Sequence, residues 1–318
     1  MTTATDSPSP VPAKIGALRR WARERLRAAG IDTAALDADL LLAHALGLSR
    51  EALLLRDPAQ SVPPAAREAV RDLIAARGRR VPVAYLVGER EFYGRRFRVG
   101  PGVLVPRPET ETLITLALRM GPTGPAQLLD LGTGSGAILL TLLAERPNWR
   151  GVGVDRAKAA AAWAGKNAAA FGLRERARIV VSDWDGALDP VLRFDCVLAN
   201  PPYVRRAVIP QLAPEVSRYE PLAALDGGPD GLDGLRAVLA VAARRLMPGG
   251  RLFVEIGADQ GDAAAALVRS AGLEAVTVHP DLAGRPRVVT GRWPDPPGQG
   301  DTHSLLTEDA AKKSLENG

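Results

Sequence analysis

Gln127-Leu128-Leu129-Asp130-Leu131-Gly132-Thr133-Gly134-Ser135-Gly136 decides how this chain folds. Its first half is a short apolar run that reads as a buried strand, and its second half sets glycine at alternate positions. Ala137 to Ala144 follows with the apolar pattern of a helix. Strand, glycine turn and helix start together form a nucleotide-cofactor loop: glycine lets the backbone approach a ligand, and the first helical amides face it. The spacing is G-x-G-x-G and not the dinucleotide G-x-G-x-x-G, and Asp130 stands before the first glycine. A carboxylate there repels pyrophosphate and attracts an ammonium or sulfonium.

The next strand ends extend the pattern. Gly151-Val152-Gly153-Val154 runs into Asp155, whose carboxylate can accept both hydroxyls of a ribose. Ala177 to Val181 runs into Ser182-Asp183-Trp184, a carboxylate for an exocyclic amine beside an aromatic face for a purine. Asp130, Gly132, Thr133, Gly134, Ser135, Gly136, Asp155, Asp183 and Trp184, with Asn200 beyond them, describe a site for S-adenosylmethionine. The glycine spacing and Asp130 argue against a nicotinamide-dependent oxidoreductase.

The fourth strand, Cys196-Val197-Leu198-Ala199, ends in Asn200-Pro201-Pro202-Tyr203. A planar amide or aromatic amine is a poor nucleophile because its nitrogen lone pair is delocalised. The Asn200 side-chain oxygen and the Pro201 carbonyl are two acceptors that can hold an NH2 group by both hydrogens. That directs the lone pair at an electrophile and favours a pyramidal nitrogen. Pro201 and Pro202 stiffen the turn, and Tyr203 offers a flat face to a planar group. Asn200, Pro201 and Tyr203 are the expected catalytic residues, and Asn200 to Tyr203 the expected substrate contact.

Outward from this centre the chain divides into a disordered tail (1–12), a helical substrate-docking domain (13–84), a β-hairpin linker (85–107), a catalytic domain (108–293) and a second disordered tail (294–318). Leu18, Trp21, Leu26, Leu36, Leu40, Leu41 and Leu46 recur at helical spacing, with Ser49 a cap for Glu51 to Leu55 and a last helix over Ala65 to Arg77. Arg77, Arg79 and Arg80 read as either a solvated helix end, the preferred reading, or part of a partner surface. Phe92-Tyr93-Gly94 and Phe97-Arg98-Val99 suggest the hairpin. Pro108 suits the first turn of a helix whose apolar face is Leu113, Leu116 and Leu118. From 127 strands and helices alternate in a doubly wound order. The proline-rich stretch after the Asn200 motif, to about Gly231, reads as a loop over the crevice, Pro248-Gly249-Gly250 as the connection from a helix over Leu235 to Leu246 into a strand over Arg251 to Ile256, and the last two strands as an antiparallel pair at the sheet edge.

Composition sets bounds. A chain of 318 residues, 46% hydrophobic and 24% charged, has ample material for a core and is ordinary for a globular protein. The net charge of +5 follows as easily from Ala/Arg-rich usage as from an acidic partner. Cys196 is the only cysteine and sits mid-strand, which excludes a disulfide framework and suits a core thiol. His44, His279 and His303 lack ligand spacing, so no metal is expected. No apolar run reaches bilayer length and residues 1–12 lack signal-peptide regions, so the expected setting is the cytoplasm, without a membrane partner.

From about residue 14 to 293 the chain strongly resembles the peptide chain release factor glutamine methyltransferases, the PrmC/HemK family. Pro82 to Gly94 is similar to that family's domain linker, and Val105-Pro106-Arg107-Pro108-Glu109-Thr110-Glu111 to its signature segment. Asp130 to Gly136, Asp155, Ser182 to Trp184 and Asn200 to Tyr203 match its cofactor and substrate motifs. Asp281 to Val289 resembles its closing segment. The resemblance implies a class I S-adenosylmethionine-dependent methyltransferase of the α/β class: a Rossmann-like doubly wound sheet with an antiparallel last strand, plus a small N-terminal all-α bundle. It also implies the substrate, the glutamine of the Gly-Gly-Gln tripeptide of class I release factors, methylated on its side-chain amide nitrogen. A monomer acting on a protein is expected, with no direct nucleic-acid contact.

The competing reading is an N6-adenine DNA or RNA methyltransferase, since the tetrapeptide is shared and a flipped adenine could stack on Tyr203. Such an enzyme needs a basic or aromatic reading module, whereas the second domain here is leucine-rich and helical. A non-catalytic cofactor-binding scaffold is a third reading. The presence of Asp130, Asp155, Trp184 and Asn200 together argues against it.

Overall fold

The computed structural model describes residues 10–296. Nearly all of both expected tails, and His303, lie outside the described residues. The described residues form two compact units: one comprises residues 10–91 with Arg96–Val105 and Pro210–Leu222, the other Phe92–Arg95, Pro106–Ile209 and residues 223–296.

The first unit is helical. It contains α1 (Ile15–Ala28), α2 (Ala34–Ala45), α3 (Arg50–Leu54), α4 (Pro64–Gly78) and α5 (Val83–Val87). Ile15, Leu18, Ala22 and Leu26 fall three and four residues apart, so they form one stripe along α1. That stripe is buried in one cluster with Ala38, Leu41 and Leu42 of α2 and Val70 and Ile74 of α4. Ser49 caps α3, its Oγ accepting from the Ala52 amide at 3.1 Å. His44 is exposed on α2. Two strands, β1 (Glu89–Phe92) and β2 (Arg95–Arg98), pair as a ribbon after α5. Tyr93 and Gly94 between them both have positive φ (50° and 72°), the conformation a tight two-residue hairpin turn demands.

The second unit is the doubly wound α/β layer structure. Its elements are α6 (Glu111–Met120), β3 (Ala126–Leu131), α7 (Ala137–Glu145), β4 (Trp149–Asp155), α8 (Lys158–Ala170), β5 (Ala177–Val181), β6 (Phe194–Ala199), α10 (Asp233–Arg245), β7 (Leu246–Glu255), α11 (Gly261–Ser270), β8 (Glu274–Pro280) and β9 (Pro286–Arg292). The short helix α9 (Pro214–Tyr219) lies in the segment assigned to the helical unit. The sheet order is β5-β4-β3-β6-β7-β9-β8, parallel from β5 through β7 and antiparallel where β9 meets β7 and β8. The inner strands β3 and β6 are covered on both faces, which is why they read as unbroken apolar runs. Chain order reverses between β4 and β6 on either side of β3, so the ligand crevice of such a sheet opens at the carboxyl ends of these strands.

Several local expectations are corrected. Pro248-Gly249-Gly250 is not a connection leading into β7 but an irregularity within it: Phe194 pairs with Leu246 and Cys196 next with Arg251, so the extra residues bulge out of the ladder. On α6 the buried stripe is Leu113, Ile114, Leu116 and Ala117, with Leu118 only half-buried. The stretch expected as a loop carries α9, and its middle joins the helical unit.

Arg77 is the largest departure. It is not solvated but buried, with Nε donating to Asp37 Oδ2 at 2.8 Å and Nη2 to Glu215 Oε1 of α9 at 3.0 Å. Arg80 is half-buried and donates to the Gly30 carbonyl at 2.6 Å, leaving only Arg79 exposed. Tyr219 of α9 donates its hydroxyl to the Arg79 carbonyl at 2.7 Å. A helix-end arginine gives no sign in sequence that a residue 138 positions away will neutralise it. Removing Arg77 strands Asp37 in the interior. Arg77→Ala is therefore expected to cost about 3–5 kcal/mol of stability in urea unfolding. A loss below about 1 kcal/mol would place the pair among ordinary surface ion pairs.

Candidate active site

The glycine loop leaves β3 with Gly132, Gly134 and Gly136 all in the left-handed region, at φ 72°, 58° and 83°. A side chain at Gly132 would meet nothing within 4 Å, so that backbone faces open space. Asp130, one residue inside the strand, is fully buried. Its Oδ2 accepts from Thr133 Oγ1 at 2.6 Å, while its Oδ1 is buried with no hydrogen-bond partner. Burial pushes its pKa up to about 7, opposed by the Thr133 hydroxyl and the Leu139 amide and reinforced by the charge of Asp155. An orphaned carboxylate oxygen, held at a cost and without an ion pair among the described residues, fits a cationic ligand.

Asp155 ends β4. Its Oδ2 accepts from the Gly134 amide at 2.9 Å and its Oδ1 from the Ala157 amide at 2.8 Å. Both oxygens are thus partly used in holding the loop, and each keeps one lone-pair direction for a ligand. Ser135 is tied in through its carbonyl, which accepts from the buried Asn167 amide at 2.9 Å. After β5, Asp183 is exposed and Trp184 is half-buried with φ 48°, an uncommon backbone for a bulky residue. Trp184 packs against the main sheet core. The neighbouring Asp185 is buried and bound by Arg244 and Arg245 at 2.8 and 2.7 Å, which pins this turn from behind.

The tetrapeptide leaves β6 at Asn200. Pro201 is buried and Asn200, Pro202 and Tyr203 are half-buried. Asn200 Nδ2 donates to Thr110 Oγ1 at 3.2 Å, Thr110 Oγ1 donates to Glu255 Oε2 at 2.6 Å, and Tyr203 Oη donates to Glu255 Oε1 at 3.1 Å. Glu255 is fully buried, and its pKa is raised by that burial. Burial, with the adjacent Glu255 charge, pushes the Tyr203 phenol upward too, so it stays protonated and able to donate.

The backbone of the tetrapeptide is gripped as well. Buried Gln260 donates to the Tyr203 carbonyl at 3.1 Å and to the Gly231 carbonyl at 3.0 Å. A Cβ on Gly234 would come within 2.7 Å of the Pro202 carbonyl, so only glycine lets α10 begin this close to the prolines.

The residues expected from sequence therefore gather at the ends of adjacent strands: Asp130 and the glycine loop at β3, Asp155 at β4, Asp183 and Trp184 at β5, Asn200 to Tyr203 at β6. Thr110, Glu255, Gln260 and Gly234 were not expected. Thr110 lies within the segment already noted around Pro108, but a buried strand-end glutamate carries no sequence sign of which side chains it will hold.

Comparison with known proteins bears on what this arrangement is. Residues 17–88 match the PrmC N-terminal domain and residues 112–215 the methyltransferase small domain. A release factor glutamine methyltransferase of Cereibacter sphaeroides is 50% identical over 276 residues, covering 86% of this chain and 97% of that protein. The chain belongs to the release factor glutamine methyltransferase family. A second relative of that name, from Caulobacter vibrioides, is 42% identical and covers 86% of this chain and 95% of its own. Among solved structures, the hMettl16 catalytic domain in complex with MAT2A 3'UTR hairpin 6 superposes with a TM-score of 0.52 at 16% identity, over 68% of this chain and 82% of that one. At that identity the likeness concerns the fold alone.

S-adenosylmethionine is the cosubstrate of this family member, and the expectation that Asp130 faces its cation carries a pH signature. A cation favours the ionised carboxylate, so affinity should fall as pH drops below about 7, approaching tenfold per unit. It should also fall above about 8 as the ligand's own ammonium deprotonates. The raised pKa works the other way on the cofactor-free fold: between about 4 and about 7 the native state binds more protons than the unfolded chain, so stability declines as pH climbs. Calorimetric titration from pH 5.5 to 8.5 should show the acidic limb in the native enzyme and not in Asp130→Asn. The variant should bind weakly throughout and, without cofactor, melt higher than the native protein at pH 8.

Proposed function

We infer that the chain methylates the side-chain amide nitrogen of the glutamine in the Gly-Gly-Gln tripeptide of class I peptide chain release factors. The observation that carries this reading is the pair of acceptors at the end of β6, the Asn200 amide oxygen and the Pro201 carbonyl, in a chain whose relatives are named for that reaction. S-adenosylmethionine supplies an electrophilic methyl group on a sulfonium. The chain's own residues position the nucleophile. Asn200 and Pro201 accept the two amide hydrogens, Tyr203 packs on the carboxamide plane, and Pro202 keeps the turn rigid.

The amide nitrogen forms a bond to the methyl carbon as the carbon–sulfur bond breaks, and one nitrogen proton leaves afterward. An amide is scarcely basic, and its proton becomes acidic only once methylation makes the nitrogen cationic. No strong base is needed before attack. Alignment supplies much of the rate, and the two acceptors stabilise positive charge growing on nitrogen. Asp130, the loop from Gly132 to Gly136, Asp155, Asp183 and Trp184 hold the cosubstrate in this scheme, and the reaction calls for no metal.

In this reading residues 13–84 dock the release factor, 85–107 link, and 108–293 catalyse. The helical unit has a core of its own, which supports a separate docking role. It also leaves the consecutive leucines Leu54 and Leu55 exposed, at 42% and 88%, a suitable apolar contact for a protein partner. Among the described residues no helix is long and apolar enough to cross a membrane. The enzyme acts as a cytoplasmic monomer on a protein and touches no nucleic acid. The N6-adenine alternative is not favoured by the names of the relatives.

Incubation with methyl-labelled cosubstrate and purified release factor should label the factor, and replacing its Gly-Gly-Gln glutamine should abolish the label. Label that persists after the replacement would defeat the assignment. Asn200→Ala should lower kcat by about 100-fold or more, as for loss of a preorganised transition-state contact, and far more than it weakens cosubstrate binding. Near-native kcat in that variant would remove Asn200 from the reaction. Leu55→Asp should raise KM for the intact factor severalfold and leave cosubstrate Kd alone; an unchanged KM would exclude that contact.

A further inference from the structure

We propose that Thr110 and Glu255 are positioning residues that fix which end of the Asn200 amide faces the substrate, and so make the site accept an amide NH2 group in preference to a carboxylate. The inference rests on the reading above that Asn200 holds the target nitrogen.

The two ends of an asparagine side chain have nearly the same shape and opposite hydrogen-bonding character. An Asn200 turned the wrong way would present NH2 to NH2 and hold a carboxylate instead. The hydrogen bonds around Thr110 remove the ambiguity. Ionised Glu255 can only accept, so the single Thr110 hydroxyl proton is committed to Oε2 at 2.6 Å. Toward Asn200 the hydroxyl can then offer only a lone pair. The Asn200 atom 3.2 Å away must be a donor, Nδ2, and Oδ1 is directed elsewhere. The second Glu255 oxygen accepts from Tyr203 at 3.1 Å, so one carboxylate orients both reacting-site side chains of the tetrapeptide.

Geometry supports a fixed sense of direction. Glu255 is fully buried and Thr110 is 4% exposed, so solvent does not reach the bond between them to supply a competing proton. Burial raises the Glu255 pKa, opposed by the Thr110 and Tyr203 hydroxyls, which bond one to each carboxylate oxygen, and by the positive charge of nearby buried Arg287. Its guanidinium is itself held by the Ile256 carbonyl and the Asp281 carboxylate at 3.3 Å each. Thr110 and Glu255 act through the side chains they hold, Asn200 and Tyr203.

The test uses full-length enzyme and two release factor proteins, one native and one with the target glutamine changed to glutamate, the latter as a competitor. The native enzyme should bind the glutamine factor at least about tenfold more tightly than the glutamate factor, the scale set by one mispaired buried polar contact. In Thr110→Val that preference should fall to within about threefold and kcat by about tenfold or more, with cosubstrate Kd within about twofold. Thr110→Ser, which keeps the hydroxyl, should restore both preference and kcat. In an Asn200→Ala background Thr110→Val should change kcat by less than about twofold, because its effect passes through the residue already removed.

Native preference and kcat in Thr110→Val would overturn the proposal, and so would an undiminished effect in the Asn200→Ala background. Glu255→Gln, which no longer commits the threonine proton, is the second variant and should lose the preference in the same way. If neither Thr110→Val nor Glu255→Gln binds cosubstrate, the two residues serve folding alone and the proposal fails. A native enzyme that does not label the release factor defeats the proposed function instead, an outcome seen before any substitution is made.

Discussion

The parallel pairing of β3 with β6 is the constraint on which the site depends. Its register sets Asp130 level with Leu198 and Leu131 level with Ala199, so the glycine loop and the tetrapeptide leave the sheet side by side. The proposed cosubstrate loop follows β3, and the proposed nucleophile holder follows β6. A slip of one residue would turn the apolar side chains of either strand to the opposite face and offset the two by a residue's rise. Burial of both faces makes such a slip costly. The chemistry is thus indexed by hydrophobic packing far below it.

This dependence explains how far the chain could be read from its residues. The strands, the glycine loop and the tetrapeptide were legible because each is a local pattern: an apolar run, then residues whose geometry or hydrogen-bonding suits a ligand. Strand order followed from the alternation of strand and helix, and the closing antiparallel pair from its short connection. What escaped were pairings between distant positions. Glu255 looks like any polar residue at the end of a strand, and its meaning comes from Thr110, 145 residues earlier, and Tyr203, 52 residues earlier. Arg77 looks like a solvated helix end until Asp37 and Glu215 are placed beside it. Pro248-Gly249-Gly250 has the composition of a turn, and only the ladder with β6 shows that it is absorbed into a strand.

Buried ionisable groups recur in both units, in different roles. In the helical unit two buried aspartates find opposite charges: Asp39 is met by Arg19 and Arg23 at 3.1 and 2.9 Å, and Asp37 by Arg77. Such pairs trade desolvation against attraction and fix which helix faces which. In the catalytic unit Asp130 is left without a counter-charge and Glu255 has only hydroxyl donors with a cation nearby. The first arrangement is complete in itself. The second leaves hydrogen-bonding capacity unused, as the unpartnered Asp130 Oδ1 shows.

Cys196 lies at the centre of β6, paired with Leu128 on one side and Arg251 on the other, and none of it is exposed. Burial pushes its thiol up to about 12, so at neutral pH almost none of it is the reactive thiolate. As the chain's sole sulfhydryl, it is silent to alkylating reagents and mild oxidants while the sheet is closed. It becomes reactive only when the central strands part. The molecule therefore carries its own clock of sheet opening, readable by the rate at which a thiol label is taken up and requiring no engineered probe.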